Sequence, residues 1–215
     1  MQLSGYKHTK NQVSFSSDRF FPVVVRDINN MPVKAWFSQL NLSDPVDETA
    51  MKTVKNSWTE KKWDVHTRNI YNQFEEGKPV YAVELDSKNG SLYDKLLGLA
   101  SYHIEGNDTF KLDFLQASPN SSFKAPKGNR EYRGAGTALM YGLVKIAEIV
   151  ESKLFKLYSA TADNFYDRLK MEKRGIYMTF DRPEMGDFLK RQETEFDLLL
   201  QKQPAKTEKM VSKCS

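Results

Sequence analysis

The chain has 215 residues, 40% of them hydrophobic and including 13 Phe and 10 Tyr, which suits one domain with a real core and excludes a disordered chain. Its 32 basic and 28 acidic residues are interspersed and leave a net charge of +4, a balance that suits an anionic ligand but is no nucleic-acid footprint. A single cysteine, Cys214, excludes a disulfide framework or a thiolate-rich zinc site, and His8, His66 and His103 lie too far apart to show ligand spacing, so no metal is expected.

Residues 1–20 are polar and Ser-rich and read as a loose arm, followed by a single domain over 21–203 and a charged tail over 204–215. The start lacks an apolar targeting core, and no apolar run approaches the ~18 residues of a membrane span, so a soluble, cytoplasmic protein with no membrane partner is expected. Phe21–Ile28 is rich in β-branched residues and predicts the first strand. Met31–Leu42 predicts a short helix, with Pro32 in its first turn and Val33, Trp36, Phe37 and Leu40 on one face. After Asp44-Pro45 a helical region spans about Asp47–Glu76, interrupted near Ser57, where Ser57-x-x-Glu60 has the form of a capping box. Trp63, His66, Ile70, Tyr71 and Phe74 then form a packing face, and Gly77 ends the helix.

Val80–Asp86, Leu96–Glu105 and Thr109–Ala117 read as strands, the last two joined by a Gly106-Asn107-Asp108 turn, and together they predict an antiparallel meander. Ser118–Arg130 is a polar loop. Two glycines follow, Gly134 and Gly136, and then an amphipathic helix carrying Leu139, Met140, Leu143, Ile146, Ala147 and Val150. Lys153–Ser159 predicts a strand, Thr161–Met171 a helix, Gly175–Asp181 a final strand, and Met185, Phe188, Leu189, Phe196, Leu199 and Leu200 a C-terminal helix. The resulting order, β α α β β β α β α β α, is that of an α/β or mixed α+β domain.

Strand, glycine turn and helix form an arrangement that points unpaired N–H groups and a positive helix end at one spot, which suits a phosphate or pyrophosphate. A tight turn alone also explains two glycines. The Walker pattern is absent because no Gly-Lys-Ser/Thr follows, and the dinucleotide fingerprint fails because Leu139 stands where its third glycine belongs.

Two segments resemble the GCN5-related N-acetyltransferase (GNAT) family. Leu115-Gln116-Ala117-Ser118-Pro119, followed by Glu131-Tyr132-Arg133-Gly134-Ala135-Gly136, is similar to that family's Leu-x-Val-x-Pro strand end and its Gln/Arg-x-x-Gly-x-Gly/Ala turn. Ala162-Asp163-Asn164-Phe165-Tyr166 is similar to its Ala-x-x-Phe-Tyr helix. The departures are Glu131 at the Gln/Arg position, Lys170-Met171 in place of Gly-Phe, a long Ser118–Arg130 loop, and one strand after Tyr166 where two are usual, an edge that a partner chain or the last helix would cover.

The resemblance implies a mostly antiparallel central sheet with a splayed parallel strand pair, flanked by helices, and an acetyl-CoA-dependent N-acetyltransferase. It also implies site residues. The amides of Arg133, Gly134, Ala135, Gly136 and Thr137 hold the diphosphate, with Arg133 adding charge. Backbone groups of Leu115, Gln116 and Ala117 pair with the pantetheine arm, and Lys153–Ser159 lines the other side of the gap. Asn164 contacts the cofactor or caps its own helix, and Tyr166 protonates the leaving thiolate.

A lysine-like amine of pKa about 10.4 is under about 0.1% neutral at pH 7, so deprotonation costs about 4.6 kcal/mol and a basic group helps. Lys111 stands where the family often has a Glu. Asp113, two residues on and expected on the same strand face, is the candidate base ahead of Glu84 and Glu105. The acceptor stays open among amine-bearing small molecules, peptides and proteins, as does a homodimer. A catalytically silent module of the same fold that binds coenzyme A or a protein partner is the alternative.

Overall fold

The structure, a computed structural model, describes residues 18–58, 64–87, 90–121, 131–158 and 165–201. In chain order these form β1 (Asp18–Asp27), β2 (Pro32–Leu40), α1 (Pro45–Ser57), α2 (Asp64–Glu75), β3 (Val80–Leu85), α3 (Leu92–Lys95), β4 (Leu96–Glu105), β5 (Thr109–Ala117), β6 (Tyr132–Arg133), α4 (Ala135–Ile149), β7 (Leu154–Tyr158), α5 (Phe165–Arg168), β8 (Glu172–Arg174), β9 (Tyr177–Asp181) and α6 (Arg182–Gln201). Among the described residues nine strands make one sheet, in the order β6-β1-β2-β3-β4-β5-β7-β9-β8. Every neighbouring pair is antiparallel except β5–β7, the pair that α4 joins. The expected fold class, a mostly antiparallel sheet with one parallel pair and helices on its faces, is what the chain adopts.

Two apolar layers hold it together. On one face α4 and α6 pack over the sheet, burying Leu139, Met140, Leu143, Val144, Phe188 and Leu189 among inward strand residues. Aromatic rings run strand to strand beneath them: Phe21 to Phe37 at 5.1 Å, Phe37 to Tyr81 at 5.3 Å, Tyr81 to Tyr102 at 5.5 Å, Tyr102 to Phe110 at 3.9 Å and Phe110 to Phe155 at 5.1 Å between centroids. Offset ring contacts of this kind add to the area they bury. On the other face α1 and α2 cover β2, β3 and β4, with Met51, Val54, Ile70 and Phe74 of the helices packed against Leu40, Val80 and Leu99 of the strands. No helix among the described residues is long and apolar enough to cross a membrane.

Three expectations need correction. Met31–Leu42 is not a helix: β2 runs Pro32–Leu40, laddered to both β1 and β3. Its Val33, Trp36, Phe37 and Leu40 fit a helical stripe, but Val33, Ala35 and Phe37 also alternate, and two waiting strand edges decide the matter. The Thr161–Met171 helix is reduced, among the described residues, to the single turn of α5. β8 follows it and forms a hairpin with β9, so two strands, not one, come after Tyr166, and the edge needs no cover to complete the count. Besides these, α3 and β6 are short elements that no periodicity announces.

The break near Ser57 is present, since α1 ends there and Trp58 caps it through a backbone bond to Val54. The expected box partner Glu60, and Trp63, lie outside the described residues, as do residues 1–17, 122–130 and 202–215.

Candidate active site

The meander turn fixes the register of β4 and β5: Glu105 faces Thr109, Ile104 faces Phe110, His103 faces Lys111 and Tyr102 faces Leu112. The ladder then slips. Ser101 pairs with Phe114, so Asp113 is an extra residue, a β-bulge that bends β5. The parallel ladder with β7 stops at the same place, with Thr109 through Leu112 paired to Leu154 through Leu157. From Asp113 onward β5 keeps β4 on one side and, among the described residues, has no strand on the other. Among the described residues the parallel pair therefore ends at Leu112 and Leu157, next to the bulge.

Leu115, Gln116 and Ala117 line the open edge. Leu115 turns its side chain toward the α4 layer, where it is partly buried. Gln116 donates its side-chain amide to the Ala117 carbonyl at 3.0 Å.

The glycine turn itself rests on β1, and α4 then crosses the sheet so that its second turn reaches β5, where a Cβ built on Gly98 would meet both Leu139 Cδ1 at 2.8 Å and the Gln116 carbonyl at 3.2 Å. Gly134 has φ +88° and ψ 1°, the left-handed conformation that glycine adopts without strain, and it forms the N-cap of α4. No side chain caps this helix, and its first turn carries no acidic residue. The first amides of α4, on Ala135, Gly136 and Thr137, therefore lack the usual capping acceptor, and no carboxylate in that turn offsets the positive helix end. Gly134 and Arg133 are exposed, Gly136 and Thr137 half-buried, and Ala135 buried. Arg133 pairs through its backbone with Arg26 of β1, which fixes the approach to the turn. Glu131 is exposed and tied by its amide to the Asn120 carbonyl at 2.9 Å.

The second motif comes to the same place. A Cβ built on Gly136 would meet the Phe165 ring at 3.2 Å, so the missing side chain is what lets α5 sit against the start of α4. Tyr166 stands edge-on to Phe165, with ring centroids 4.9 Å apart. It is partly buried against the α4 layer, and loss of solvent pushes its phenol up to about 12. A phenol so shifted keeps its proton at any physiological pH. Asn164 lies outside the described residues.

On the opposite face Asp113 has a partner that no spacing in the sequence reveals. Its two carboxylate oxygens lie 2.8 and 2.9 Å from His103 Nδ1. His66, on α2, stands edge-on to Phe114 with ring centroids 5.7 Å apart, and burial lowers its pKa. Two histidines without ligand spacing thus flank the bulge. The other carboxylates considered are engaged elsewhere: Glu84 is buried and accepts a hydrogen bond from Ser38. Glu105 ion-pairs with Lys156 and with Lys111, and the Lys156 bond draws its pKa down.

Beyond α1 and α2 this face carries a polar row, with Lys156 over the Tyr177 ring at 4.9 Å. A cavity of about 350 Å3 opens past the end of β5, lined by Trp58, Tyr93, Leu96, Ser118, Asn120 and Glu131 among others. Among the described residues no group of three or more His, Cys, Asp or Glu is placed to hold a metal ion.

No protein-family model and no curated protein matches the chain by sequence. Comparison with solved structures finds similarity to a GNAT-family acetyltransferase from Brucella melitensis in complex with acetyl-CoA, at 10% identity and TM-score 0.48 over 69% of this chain and 88% of that one. Aminoglycoside 6'-acetyltransferase type Ii is similar at 18% identity and TM-score 0.47 over 67% and 96%. Tetrahymena GCN5 is similar at 12% identity and TM-score 0.44 over 69% and 84%. In its strand order, its single parallel pair that parts after Leu112 and the glycine-opened helix that joins the pair, the chain has the fold expected from its resemblance to the GCN5-related N-acetyltransferases.

Proposed function

We propose that the protein is an acetyl-CoA-dependent N-acetyltransferase that moves the acetyl group to an amine by direct attack on the thioester. One observation carries the reading: α4, whose start no side chain caps, crosses to β5 beyond the bulge, where Leu139 and the Gln116 carbonyl meet at Gly98. The amides of Arg133, Gly134, Ala135, Gly136 and Thr137 suit a diphosphate, with the Arg133 guanidinium adding charge. An amide-bearing arm of the pantetheine type suits the open backbone edge of Leu115, Gln116 and Ala117, as a strand added to the sheet. Asn164, just before α5, is the further candidate contact to the arm.

The chemistry then needs a proton removed from the amine and one supplied to sulfur. Asp113, at the bulge, brings a carboxylate to the face from which the amine would approach. Tyr166 brings a protonated phenol to the neighbourhood of α4's first turn, fit to donate to the departing thiolate. Bond making and breaking balance: the C–N bond forms as the C–S bond breaks, and of the two protons the ammonium gives up, one ends on sulfur and the other in solvent.

Titration with acetyl-CoA, followed by free-thiol release on a panel of amines, tests the reading. Gly134→Glu puts bulk and negative charge into the turn and abolishes acetyl-CoA binding, whereas Tyr166→Phe leaves binding intact and slows release. Unchanged affinity in the glycine variant would sink the assignment. A second reading, a silent module that binds coenzyme A, draws on Lys111, whose ammonium pairs with Glu105 where the resemblance leads one to expect a glutamate. Saturable binding with no thiol release on any amine supports it.

A further inference from the structure

We infer that His103 is the group that takes the proton from the attacking amine, with Asp113 as the residue that positions it; the inference rests on the acetyl-transfer reading above. His103 lies on β4 directly across from Lys111, one strand width from β5 and just short of the point where β5 and β7 part. The bulge inserts Asp113 on the same face, so that its carboxylate meets Nδ1 of the ring at 2.8 Å. In a neutral imidazole held this way, Nδ1–H donates to the carboxylate and the lone pair is left on Nε2. The His103 side chain is 47% exposed and Asp113 only 16%, so the ring, not the carboxylate, is the member of the pair that an arriving ligand meets.

An imidazole also suits the task better than a carboxylate, because general-base efficiency is greatest for groups that titrate near the working pH. The ammonium gives one proton to Nε2, its nitrogen forms the C–N bond as the C–S bond breaks, and the remaining surplus proton leaves with the thiol. His103 then returns its proton to solvent.

The groups around the pair belong to several elements. Lys111 of β5 stands opposite His103, and Glu105 of β4 bonds Lys111 and Lys156 of β7. Lys78, after α2, feels the Asp113 charge while paired with Glu76 at 2.7 Å. His66 of α2 lies against Phe114, on the other side of the bulge, where burial lowers its pKa. Lys111 is paired with Glu105 and Lys78 with Glu76, Glu105 is committed to two lysines, and His66 meets Phe114 edge-on. His103 is the basic group with both an orienting partner and access.

The test uses full-length protein with acetyl-CoA and three probe amines, spermidine, ethanolamine and a peptide with one lysine. His103→Ala lowers kcat/KM by about 10²–10⁴-fold at pH 7 while acetyl-CoA affinity stays put. The loss narrows as pH approaches the amine's own pKa, and added imidazole recovers part of it. Asp113→Asn lowers kcat/KM by at least about tenfold while acetyl-CoA affinity stays put, because the ring loses its tautomer and orientation; Asp113→Glu recovers most of the loss. His103→Gln, of similar size, gives the same answer should the alanine variant fold poorly.

A full rate and unchanged pH profile in both His103 variants overturn the assignment and leave acetyl transfer standing. An imidazole-rescued loss in His66→Ala but not in His103→Ala overturns it in favour of the other ring. Wild-type protein that binds acetyl-CoA and acetylates none of the amines, or that does not bind it, overturns the transferase reading and this one with it.

Discussion

Gly134 combines φ +88° with open space, the nearest atom to an added Cβ being Val25 Cα at 4.0 Å. The cost of a side chain here comes from backbone conformation and not from collision. Gly134→Ala is therefore expected to cost about 1–2 kcal/mol in urea unfolding and to weaken acetyl-CoA far less than Gly134→Glu does. Gly136 is the reverse case: its φ is ordinary, but Phe165 leaves 3.2 Å, so Gly136→Ala displaces α5 and should slow thiol release more than it lowers stability.

Tyr166 gives a prediction in pH. Its folded value of about 12 lies above the ordinary 10, so the native state holds this proton more tightly than the unfolded chain does. The contribution is complete below about pH 10 and is lost as pH climbs from there to about 12. A phenolate absorbance titration of wild type minus Tyr166→Phe should show one group ionising near 12, and a step near 10 would contradict it.

Much of this was legible in the chain, because glycine spacing and the Phe-Tyr pair are local signals. The His103–Asp113 bond was not. Counting back from the Gly106-Asn107-Asp108 turn would have set His103 opposite Lys111, but only the bulge brings Asp113 alongside, and no residue pattern in Lys111–Ser118 announces a bulge.

At the scale of elements, α4 docks on the sheet through another glycine. A Cβ on Gly142 would lie 2.2 Å from the Phe37 ring, a clash with a fully buried side chain. Gly142→Ala should thus destabilise by about 1–3 kcal/mol, against the usual gain from replacing a helical glycine, with the urea midpoint as the measure. A stabilised variant would mean that β2 and α4 do not meet at Phe37.

That contact also shows why β2 was hard to read. Phe37 serves both a helical stripe and a strand alternation, and the choice lies with partners distant in sequence, β1, β3 and α4. β8 was silent for another reason: Glu172, Lys173 and Arg174 are all exposed, so there is no apolar period to detect. The long, strongly patterned elements β4, β5, α4 and α6 were legible in kind because each carries its own periodicity.

Across the whole molecule, α6 runs from β9 over α4 to β1. Phe188 stacks on Phe180 at 5.2 Å near its start, and farther along Glu193 accepts from Tyr141 at 3.1 Å and Glu195 meets Arg26 at 3.4 Å. Phe188 is fully buried, so Phe188→Ala is expected to cost about 3–5 kcal/mol and lower the melting temperature accordingly. The exposed Arg26–Glu195 pair is worth little, and Glu195→Gln should leave that temperature nearly unchanged. Which strands become neighbours was beyond the sequence, since strand order depends on contacts between segments more than 100 residues apart such as Arg26 and Arg133.

The parting of β5 from β7 has a consequence for motion. Only four residue pairs stitch the two halves of the sheet to each other there, ending at Leu112 and Leu157. That seam is where solvent deuterium should enter first, and a guest strand laid along Leu115–Ala117 would sew it shut. Slower exchange on both banks would then report occupancy without any turnover at all.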